Sequence, residues 1–358
     1  MTEPDAGEPG VTEPDAAGPD ADQAHRVMVV ASAPMRVSLA GGGTDLPSYA
    51  DRFGGAVVGT AIDRRVCVVR YPGRFTGGLR AAFDEVEEVE RPEDLRHRFV
   101  RASLVRTGNP TDLQLGCFSD APGGVGLGGS GALTVALQAA LRHPGRPGPT
   151  ELAEQASAVE MVDLDRPVGK QDHYFAALGG LRLLRIGRDR SVRAELLPNR
   201  PEVVRYLDER LLLFFLGGRR DAGRSLAAQA GRTDRADPAT LRLLHGIGEL
   251  VGTCVDALRH GRVDELGPVL DAHWALKAEL SGSTGGAAVE RARAIAREGG
   301  ADGSKLLGAG GSGFLLVSCR EGGQPDVRAA MADAGLPELP FRSDPRGCRV
   351  RSLRPDGR

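Results

Sequence analysis

Ala121-Pro-Gly-Gly-Val-Gly-Leu-Gly-Gly-Ser-Gly-Ala-Leu133 places a glycine-rich loop directly before an apolar helical pattern. The apolar residues after it recur at helical spacing up to Leu141. Unpaired backbone N–H groups and the positive end of the helix dipole meet at such a junction, and missing Cβ atoms let an anion come close. The segment is therefore predicted to bind phosphate; the alternative is a glycine-rich surface turn before an ordinary helix.

The residues after the glycines exclude two common phosphate loops. Gly124, Gly126 and Gly129 satisfy the pattern G-x-G-x-x-G, but a dinucleotide fold also needs an acidic residue about 20 positions further on. The segment from Ser130 to Thr150 contains no Asp or Glu. A Walker A loop needs a lysine after the glycines, and none is present there.

The same segment resembles the second motif of the GHMP kinases, P-x-G-x-G-L-G-S-S-A, with Gly129 at the position of the first serine. Residues 33–45, Ala-Pro-Met-Arg-Val-Ser-Leu-Ala-Gly-Gly-Gly-Thr-Asp, resemble the first motif of that family. Residues 305–314 resemble the third motif, K-L-x-G-A-G-G-G-G. The form Gly-Gly-Gly-Thr-Asp is similar to that of the D-glycero-D-manno-heptose 7-phosphate kinases and their fucokinase relatives.

The resemblance implies an α+β fold with two domains. It implies an N-terminal domain like domain 2 of ribosomal protein S5 and a C-terminal ferredoxin-like domain, with the active site between them. We divide the chain into an acidic tail over 1–26, a nucleotide-binding N-terminal domain over 27–197 and a C-terminal domain over 198–358. Without the resemblance, the patterns predict only a mixed α/β enzyme with a phosphate loop.

Composition narrows the class of protein. The chain has 358 residues, is 41% hydrophobic and carries a net charge of −2, which gives no support for binding to nucleic acid or to a membrane surface. The tail has seven acidic residues and one arginine, so it is predicted to be disordered. Five scattered cysteines without C-x-x-C spacing indicate neither a disulfide framework nor a zinc site. We expect a cytoplasmic protein and leave open whether it forms a homo-oligomer.

Local patterns also predict several elements. Strands are predicted at 27–32 and 36–40, separated by Pro34, and a helix at 151–163 that carries Glu160. Trp274 is expected to anchor a core. Of the 46 Lys plus Arg residues only Lys170, Lys277 and Lys305 are lysine, which makes them candidates for positions that need an ammonium group.

The resemblance assigns roles to residues at the predicted phosphate site. It implies ATP and Mg²⁺ as cofactors, Asp172 as the base and Arg36 beside the transferred phosphoryl group. Lys170, Asp172 and His173 share one turn at a helix start, where a carboxylate that merely favours the helix dipole is the alternative. We treat His173 as a neighbour of the site and not as a proton shuttle. Ser130 and Glu160 are expected to hold Mg²⁺, and the nucleotide is expected at Pro122, Gly123, Gly124, Val125, Gly126, Leu127, Gly128, Gly129, Ser130 and Gly131.

The expected activity is that of an ATP-dependent kinase acting on a small sugar or sugar phosphate at its anomeric C1 hydroxyl. The favoured substrate is D-glycero-D-manno-heptose 7-phosphate, converted to the 1,7-bisphosphate. An L-fucokinase-like or galactokinase-like sugar 1-kinase is the alternative, and a catalytically silent sugar or nucleotide sensor is the alternative of another class. The expected substrate-binding residues are Gly42, Gly43, Thr44, Asp45, Lys170, Gln171, Arg219, Arg220, Arg224, Lys277, Gly310 and Gly311.

Overall fold

A computed structural model describes residues 27–73, 77–108, 111–145, 147–218, 222–280, 286–308 and 313–353, and for 222–225 it describes the backbone. The acidic tail predicted over 1–26 lies outside these ranges. No helix within them is long and apolar enough to cross a membrane.

The described strands form two sheets. The larger sheet has eight strands in the order β11-β1-β2-β5-β3-β4, with β6 paired to β2 and β7 paired to β6, and the smaller sheet has the order β8-β10-β9. The strands are β1 Met28–Ala40, β2 Gly55–Pro72, β3 Leu79–Ala82, β4 Val86–Val89, β5 Leu113–Ser119, β6 Leu181–Ile186, β7 Val192–Leu196, β8 Leu211–Phe215, β9 Ala301–Leu306, β10 Phe314–Cys319 and β11 Arg349–Leu353.

Helices cover the sheets and join them. They are α1 Pro47–Phe53, α2 Arg98–Thr107, α3 Gly129–Leu141, α4 Pro149–Ala158, α5 Gln171–Leu178, α6 Pro201–Arg205, α7 Ala222–Asp234, α8 Pro238–His260, α9 Leu266–Leu280, α10 Gly286–Glu298 and α11 Gln324–Asp333. Short 3₁₀ turns lie at Pro92–Asp94 and Val263–Glu265, and π-helical turns lie at Val159–Asp163 and Tyr206–Arg210. The helix predicted over 151–163 is thus an α-helix that widens into a π turn at Val159.

Strand β1 is one element where two were predicted, so the predicted break at Pro34 is wrong. Proline usually weakens a strand because it has no N–H to donate to the ladder. Here Pro34 faces Arg65 and the next paired residue, Arg36, faces Ala61, so the proline lies at a register shift. The shift leaves Met35 on β1 and residues 62–64 on β2 outside the pairing of these two strands, and this irregularity accommodates the missing donor. The strand therefore continues into the interior and carries Arg36 with it.

The last strand, β11, joins the first. It pairs antiparallel with β1 over five residues, from Met28 opposite Leu353 to Ser32 opposite Arg349. Residues 349–353 fall in the predicted C-terminal domain of 198–358, whereas the sheet that they join is the N-terminal one. The second half of the chain therefore follows the N-terminal sheet in sequence and returns to that sheet with its last strand.

The smaller sheet belongs to an α+β unit. Strands β8, β9 and β10 are antiparallel neighbours, and a single bridge from Glu338 to Phe214 continues the sheet beyond β8. Counted along the chain, the order is 4-1-3-2 with helices between the strands, which is the βαββαβ arrangement of ferredoxin-like domains. Trp274 lies in the core of this unit, packed among apolar residues of the sheet and of α10.

One continuous core connects the two halves. It runs from β1 and α3 through α8 and α9 to β8, with Val37, Leu137, Val251 and Leu213 among its buried members. Helix α9 also packs against both β1 and β9. We call the α+β unit of the smaller sheet the second unit. Packed side chains therefore connect the larger sheet to the second unit.

Candidate active site

A cavity of about 530 Å³ lies between the two halves of the chain. Residues of all three sequence motifs reach it, from β1, from the glycine loop and from the end of β9. The glycine loop supplies the lining residues Gly123, Gly124, Gly126, Gly128, Gly129 and Ser130. The loop leads into α3, which begins at Gly129 as the sequence predicts.

Two glycines explain how this loop lies so close to its neighbours. Gly128 has φ +74°, and a Cβ there would lie 3.2 Å from the Cγ atoms of both Arg36 and Asp172. Gly126 has φ +91°, and its Cβ would lie 2.5 Å from the carbonyl oxygen of Leu307. Any other residue would carry backbone strain at both positions, with a clash at Gly126 and a tight contact at Gly128. The glycines thus bring the loop into contact with the strand that bears Arg36 and with the chain after β9.

Arg36 and Asp172 form an ion pair beside the glycine loop. One carboxylate oxygen of Asp172 accepts from Arg36 Nε at 2.9 Å and lies 2.7 Å from Arg36 Nη2. Arg36 Nη1 also donates to the carbonyl oxygen of Gly126. The Arg36 side chain is buried, whereas that of Asp172 is 25% exposed and lines the cavity. The carboxylate is therefore oriented by the arginine and remains open to a bound molecule.

Asp45 lies on another wall of the cavity. Both of its carboxylate oxygens accept from Gln171 Nε2 at 3.0 Å, and one also accepts from the backbone N–H of Gly43 at 3.1 Å. Burial raises the pKa of Asp45, and the negative charge of Asp172 raises it further. Gly42 and Gly43 line the same part of the cavity. This wall offers a fixed acceptor pair and close approach to the backbone, which suits hydroxyl groups.

Ser130 and Glu160 meet at the start of α3. Glu160 is buried in the π turn of Val159–Asp163, and its carboxylate forms hydrogen bonds with Ser130, His173 and Arg166. Burial acts to raise the pKa of Glu160, but these partners together hold it below its ordinary value. Ser130 lines the cavity, whereas Glu160 is buried behind it and does not. A hydroxyl and a carboxylate are hard oxygen ligands of the kind that Mg²⁺ prefers, so the pair fits the metal in ligand type. Within the described ranges no group of three or more His, Cys, Asp or Glu residues could hold a metal ion.

Arg166 is a cavity residue that the sequence analysis missed. Its guanidinium pairs with Glu160 and lies 5.1 Å from the ring centroid of Phe99, and it lines the cavity. A π turn displaces the residues after it relative to a regular helix, and such turns are frequent at functional sites. Nothing in the spacing of the sequence shows this displacement.

An aromatic cluster lines the cavity, and the sequence analysis missed it as well. Phe83, His97 and Phe99 line it, with ring centroids 4.8 Å apart for the first pair and 6.1 Å for the second. Phe, Trp and Tyr make up only 4% of the chain, so two phenylalanines within seventeen positions, with a histidine between them, were an available signal. Flat apolar faces beside a phosphate loop suit a stacked nucleobase.

The second unit contributes nitrogen-bearing side chains. Lys277, Lys305 and His273 are buried and line the cavity. Lys277 was expected to bind substrate, and Lys305 was noted for its rarity and its motif. His273 was not identified, because in a helical pattern it is indistinguishable from a core residue.

Several predicted site residues lie elsewhere. Lys170 does not reach the cavity, because its ammonium binds Glu154 at 2.6 and 2.8 Å and the carbonyl oxygen of Arg190. Thr44 is buried, and its hydroxyl bonds to the backbone of Gly41 and Ala56. Pro122, Val125, Leu127 and Gly131 do not line the cavity, and Val125 and Leu127 belong to the core. Arg219, Arg220, Gly310 and Gly311 lie outside the described residues, as does the side chain of Arg224.

Comparison with known proteins agrees with this geometry. Residues 96–180 match the family profile described as GHMP kinases N terminal domain. D-glycero-alpha-D-manno-heptose 7-phosphate kinase of Campylobacter jejuni is 28% identical over 296 residues, which cover 79% of this chain and 87% of that protein. Mevalonate kinase of Methanothermobacter thermautotrophicus is 29% identical over 293 residues, covering 81% and 89%.

Solved structures share the fold. A D-glycero-D-manno-heptose 1-phosphate kinase from Bacteroides thetaiotaomicron superposes with a TM-score of 0.75 at 22% identity, covering 91% of this chain and 99% of that one. The galactokinase of Lactococcus lactis complexed with galactose gives a TM-score of 0.69 at 15% identity, covering 90% and 95%. Residues 96–180 therefore match a GHMP kinase N-terminal domain, and the chain as a whole has the fold of these sugar kinases.

Proposed function

We propose that the protein is an ATP-dependent kinase that phosphorylates the anomeric C1 hydroxyl of D-glycero-D-manno-heptose 7-phosphate. The observation that carries this proposal is the Asp172 carboxylate, held by Arg36 at 2.7 and 2.9 Å beside the glycine loop and open to the cavity. The similarity to the heptose 7-phosphate kinase of Campylobacter jejuni supports the choice of sugar. GHMP kinases use ATP, and such a reaction suits the cytoplasm, where ATP and sugar phosphates occur together.

The cavity provides a place for each reactant. The aromatic cluster of Phe83, His97 and Phe99 would take the adenine base, and the glycine loop with the N-terminus of α3 would bind the phosphates. The sugar would lie against Asp45, Gln171 and the backbone at Gly43. Ser130 and Glu160 would hold Mg²⁺, which when bound would neutralise charge on the phosphates.

The chemical step needs little from the protein beyond position and charge. Asp172 accepts the proton of the C1 hydroxyl of the sugar while the C1 oxygen bonds to the γ-phosphorus of ATP. The bond from that phosphorus to the β,γ-bridging oxygen breaks at the same time, and ADP leaves. The ion pair with Arg36 fixes the carboxylate and places positive charge next to the transferred group.

A coupled assay of ADP release over a panel of sugars tests the proposal. The panel contains heptose 7-phosphate, free heptose, galactose, L-fucose and mevalonate, each with ATP and Mg²⁺. We expect heptose 7-phosphate to have the highest kcat/KM and its product to carry phosphate at C1. A higher kcat/KM for L-fucose or galactose would replace the sugar in the proposal, and absence of ADP release with every acceptor would favour a sensor.

A further inference from the structure

Three nitrogen-bearing side chains form a buried group on the wall of the cavity that the second unit supplies. Lys277, Lys305 and His273 are 6%, 2% and 3% exposed, and all three line the cavity. His273 and Lys277 are four residues apart and so lie on one face of α9. Lys305 is on β9, against which α9 packs. We call this group the lysine cluster.

The lysine cluster has few partners within the protein. Lys277 Nζ donates to Gln229 Oε1 at 3.2 Å, and Lys305 Nζ donates to the carbonyl oxygen of Leu39 at 3.2 Å. Within the described part of the chain, both ring nitrogens of His273 lack a hydrogen-bond partner. Among the described residues, the protein-side contacts of the two ammonium groups are hydrogen bonds to neutral oxygens, and Asp45 acts on Lys277 through its charge.

The charges around the lysine cluster are unbalanced. Burial lowers the pKa of Lys277 to about 8 although Asp45 acts in the opposite direction. Burial, Lys277 and Arg36 together lower the pKa of Lys305 to about 7, with Cys254 acting against them. Burial and the two lysines hold the pKa of His273 well below its ordinary value. A cation buried in this way is costly unless an anion accompanies it.

We infer that Lys277, Lys305 and His273 form the subsite that binds the phosphate group already present on the sugar substrate. The two ammonium groups would supply charge-assisted hydrogen bonds, and the neutral imidazole would donate its one N–H. This inference rests on the proposed function and adds to it the residues that distinguish a sugar phosphate from a free sugar.

The position of the lysine cluster assigns it to the sugar and not to ATP. A Cβ built on Gly43 would lie 3.2 Å from Lys277 Nζ, so the ammonium is beside the wall that carries Asp45. The glycine loop that would hold the triphosphate lies instead against Arg36 and Asp172. Lys277 therefore marks the side of the cavity on which the sugar would lie, while Lys305 is also close enough to Arg36 for their charges to interact.

The first test is selectivity measured with Lys277→Met, which removes the charge and keeps the length of the side chain. We expect kcat/KM for heptose 7-phosphate to fall about 10- to 100-fold, while that for free heptose changes less than about 3-fold and KM for ATP is unchanged. Arg242→Met is the matched control, because Arg242 is a surface cation of the same unit that pairs with Glu279 outside this cavity. Equal losses on both sugars, or a loss confined to KM for ATP, would overturn the inference.

The second variant is His273→Leu, which replaces a buried imidazole without partners by an apolar group of similar size. This substitution removes no hydrogen bond among the described residues, so the variant is expected to fold. It therefore tests the inference even if Lys277→Met fails to fold. We expect a smaller loss of selectivity, about 3- to 10-fold, in the same direction. Unchanged selectivity in this variant would count against the subsite.

Calorimetry without ATP separates this inference from the proposed function. An anion beside the two lysines raises their pKa values, so the wild type should take up roughly one proton when it binds heptose 7-phosphate at pH 8. The uptake is measured by comparing the binding enthalpy in two buffers of different ionisation enthalpy. Binding with proton uptake but no turnover would contradict only the proposed function. Turnover of the sugar phosphate without proton uptake would contradict only the subsite.

Discussion

At the level of single residues, the proposed reaction depends most on the ion pair of Arg36 and Asp172. The arginine binds one oxygen of the carboxylate and the carbonyl oxygen of Gly126, so it links β1 to the glycine loop. An arginine in this position fixes the direction of the carboxylate. The Asp172 carboxylate is therefore already oriented, and it lines the cavity in the absence of any bound molecule.

We predict that Asp172→Asn lowers turnover by about 10²- to 10⁴-fold, because the amide keeps the shape of the carboxylate and loses its basicity. Nucleotide affinity, measured by equilibrium titration, should change little. Asp163→Asn is a suitable control, since Asp163 pairs with Arg106 and does not line the cavity. Turnover near that of the wild type in Asp172→Asn would leave the residue as a helix-start charge.

The motifs predicted Arg36, Asp45 and Asp172, because their roles depend on local sequence around glycines. The same reasoning failed for Lys170, which has the right position in the chain and points to Glu154 instead. His273 could not be predicted, because its place beside two buried lysines depends on how α9 packs against β9. Side chains that act through tertiary contacts leave no local signal.

At the level of elements, the start of α3 brings together the glycine loop and the two residues proposed to hold Mg²⁺. Ser130 is the second residue of this helix, and its hydroxyl contacts Glu160 of the π turn. We predict that Ser130→Ala raises the Mg²⁺ concentration needed for half-maximal activity while the melting temperature is retained. A magnesium titration identical to that of the wild type would place the metal elsewhere.

We predict that Glu160, which lies in the π turn, stabilises the folded protein. Glu160 is buried with Arg166 and His173 as partners, so Glu160→Gln should lower the free energy of unfolding at pH 7 by about 3 to 5 kcal/mol. The pKa of Glu160 lies below its ordinary value of 4.5, so this stabilisation is complete above that pH and is lost as the pH falls through the lowered pKa.

Urea unfolding of the wild type and of Glu160→Gln at several pH values measures this effect. We expect the difference between them to be constant from about pH 5 to 7 and to shrink at lower pH. Glu279→Gln is the control, because Glu279 forms an exposed pair with Arg242 that contributes at most about 1 kcal/mol. A difference that does not change with pH would mean that the Glu160 carboxylate is not the stabilising species.

Periodicity predicted strands at 27–32 and 36–40 and a helix at 151–163, and the structure departs from these predictions at two points. The strand across Pro34 could not be predicted, because the register shift that accommodates the proline depends on the partner strand β2. The π turn after α4 could not be predicted either, since the apolar spacing of 151–163 fits a regular helix. In both places the local preference is overridden by a contact with another element.

At the level of the whole molecule, β11 ties the end of the described chain to its beginning. It covers the outer edge of β1 from Met28 to Ser32. We predict that a variant ending at Cys348 melts at a clearly lower temperature and aggregates more readily, because the edge of β1 loses its partner. Differential scanning fluorimetry and light scattering measure both effects.

A variant starting at Gln23 is the matched control for this truncation. We predict from its composition that the acidic tail does not fold, so its removal should leave the melting temperature and turnover unchanged. A large loss of either would show that the tail contacts the rest of the protein. An unchanged melting temperature in the variant ending at Cys348 would show that β11 adds no stability.

The pairing of β1 with β11 also sets the order in which the protein can be completed on the ribosome. Residues 28–40 leave the exit tunnel early, whereas their partner emerges only after more than 300 further residues have been translated. The nascent chain must therefore carry an open strand edge throughout elongation, which exposes it to pairing with other nascent chains. Folding of the first half alone therefore cannot complete the larger sheet.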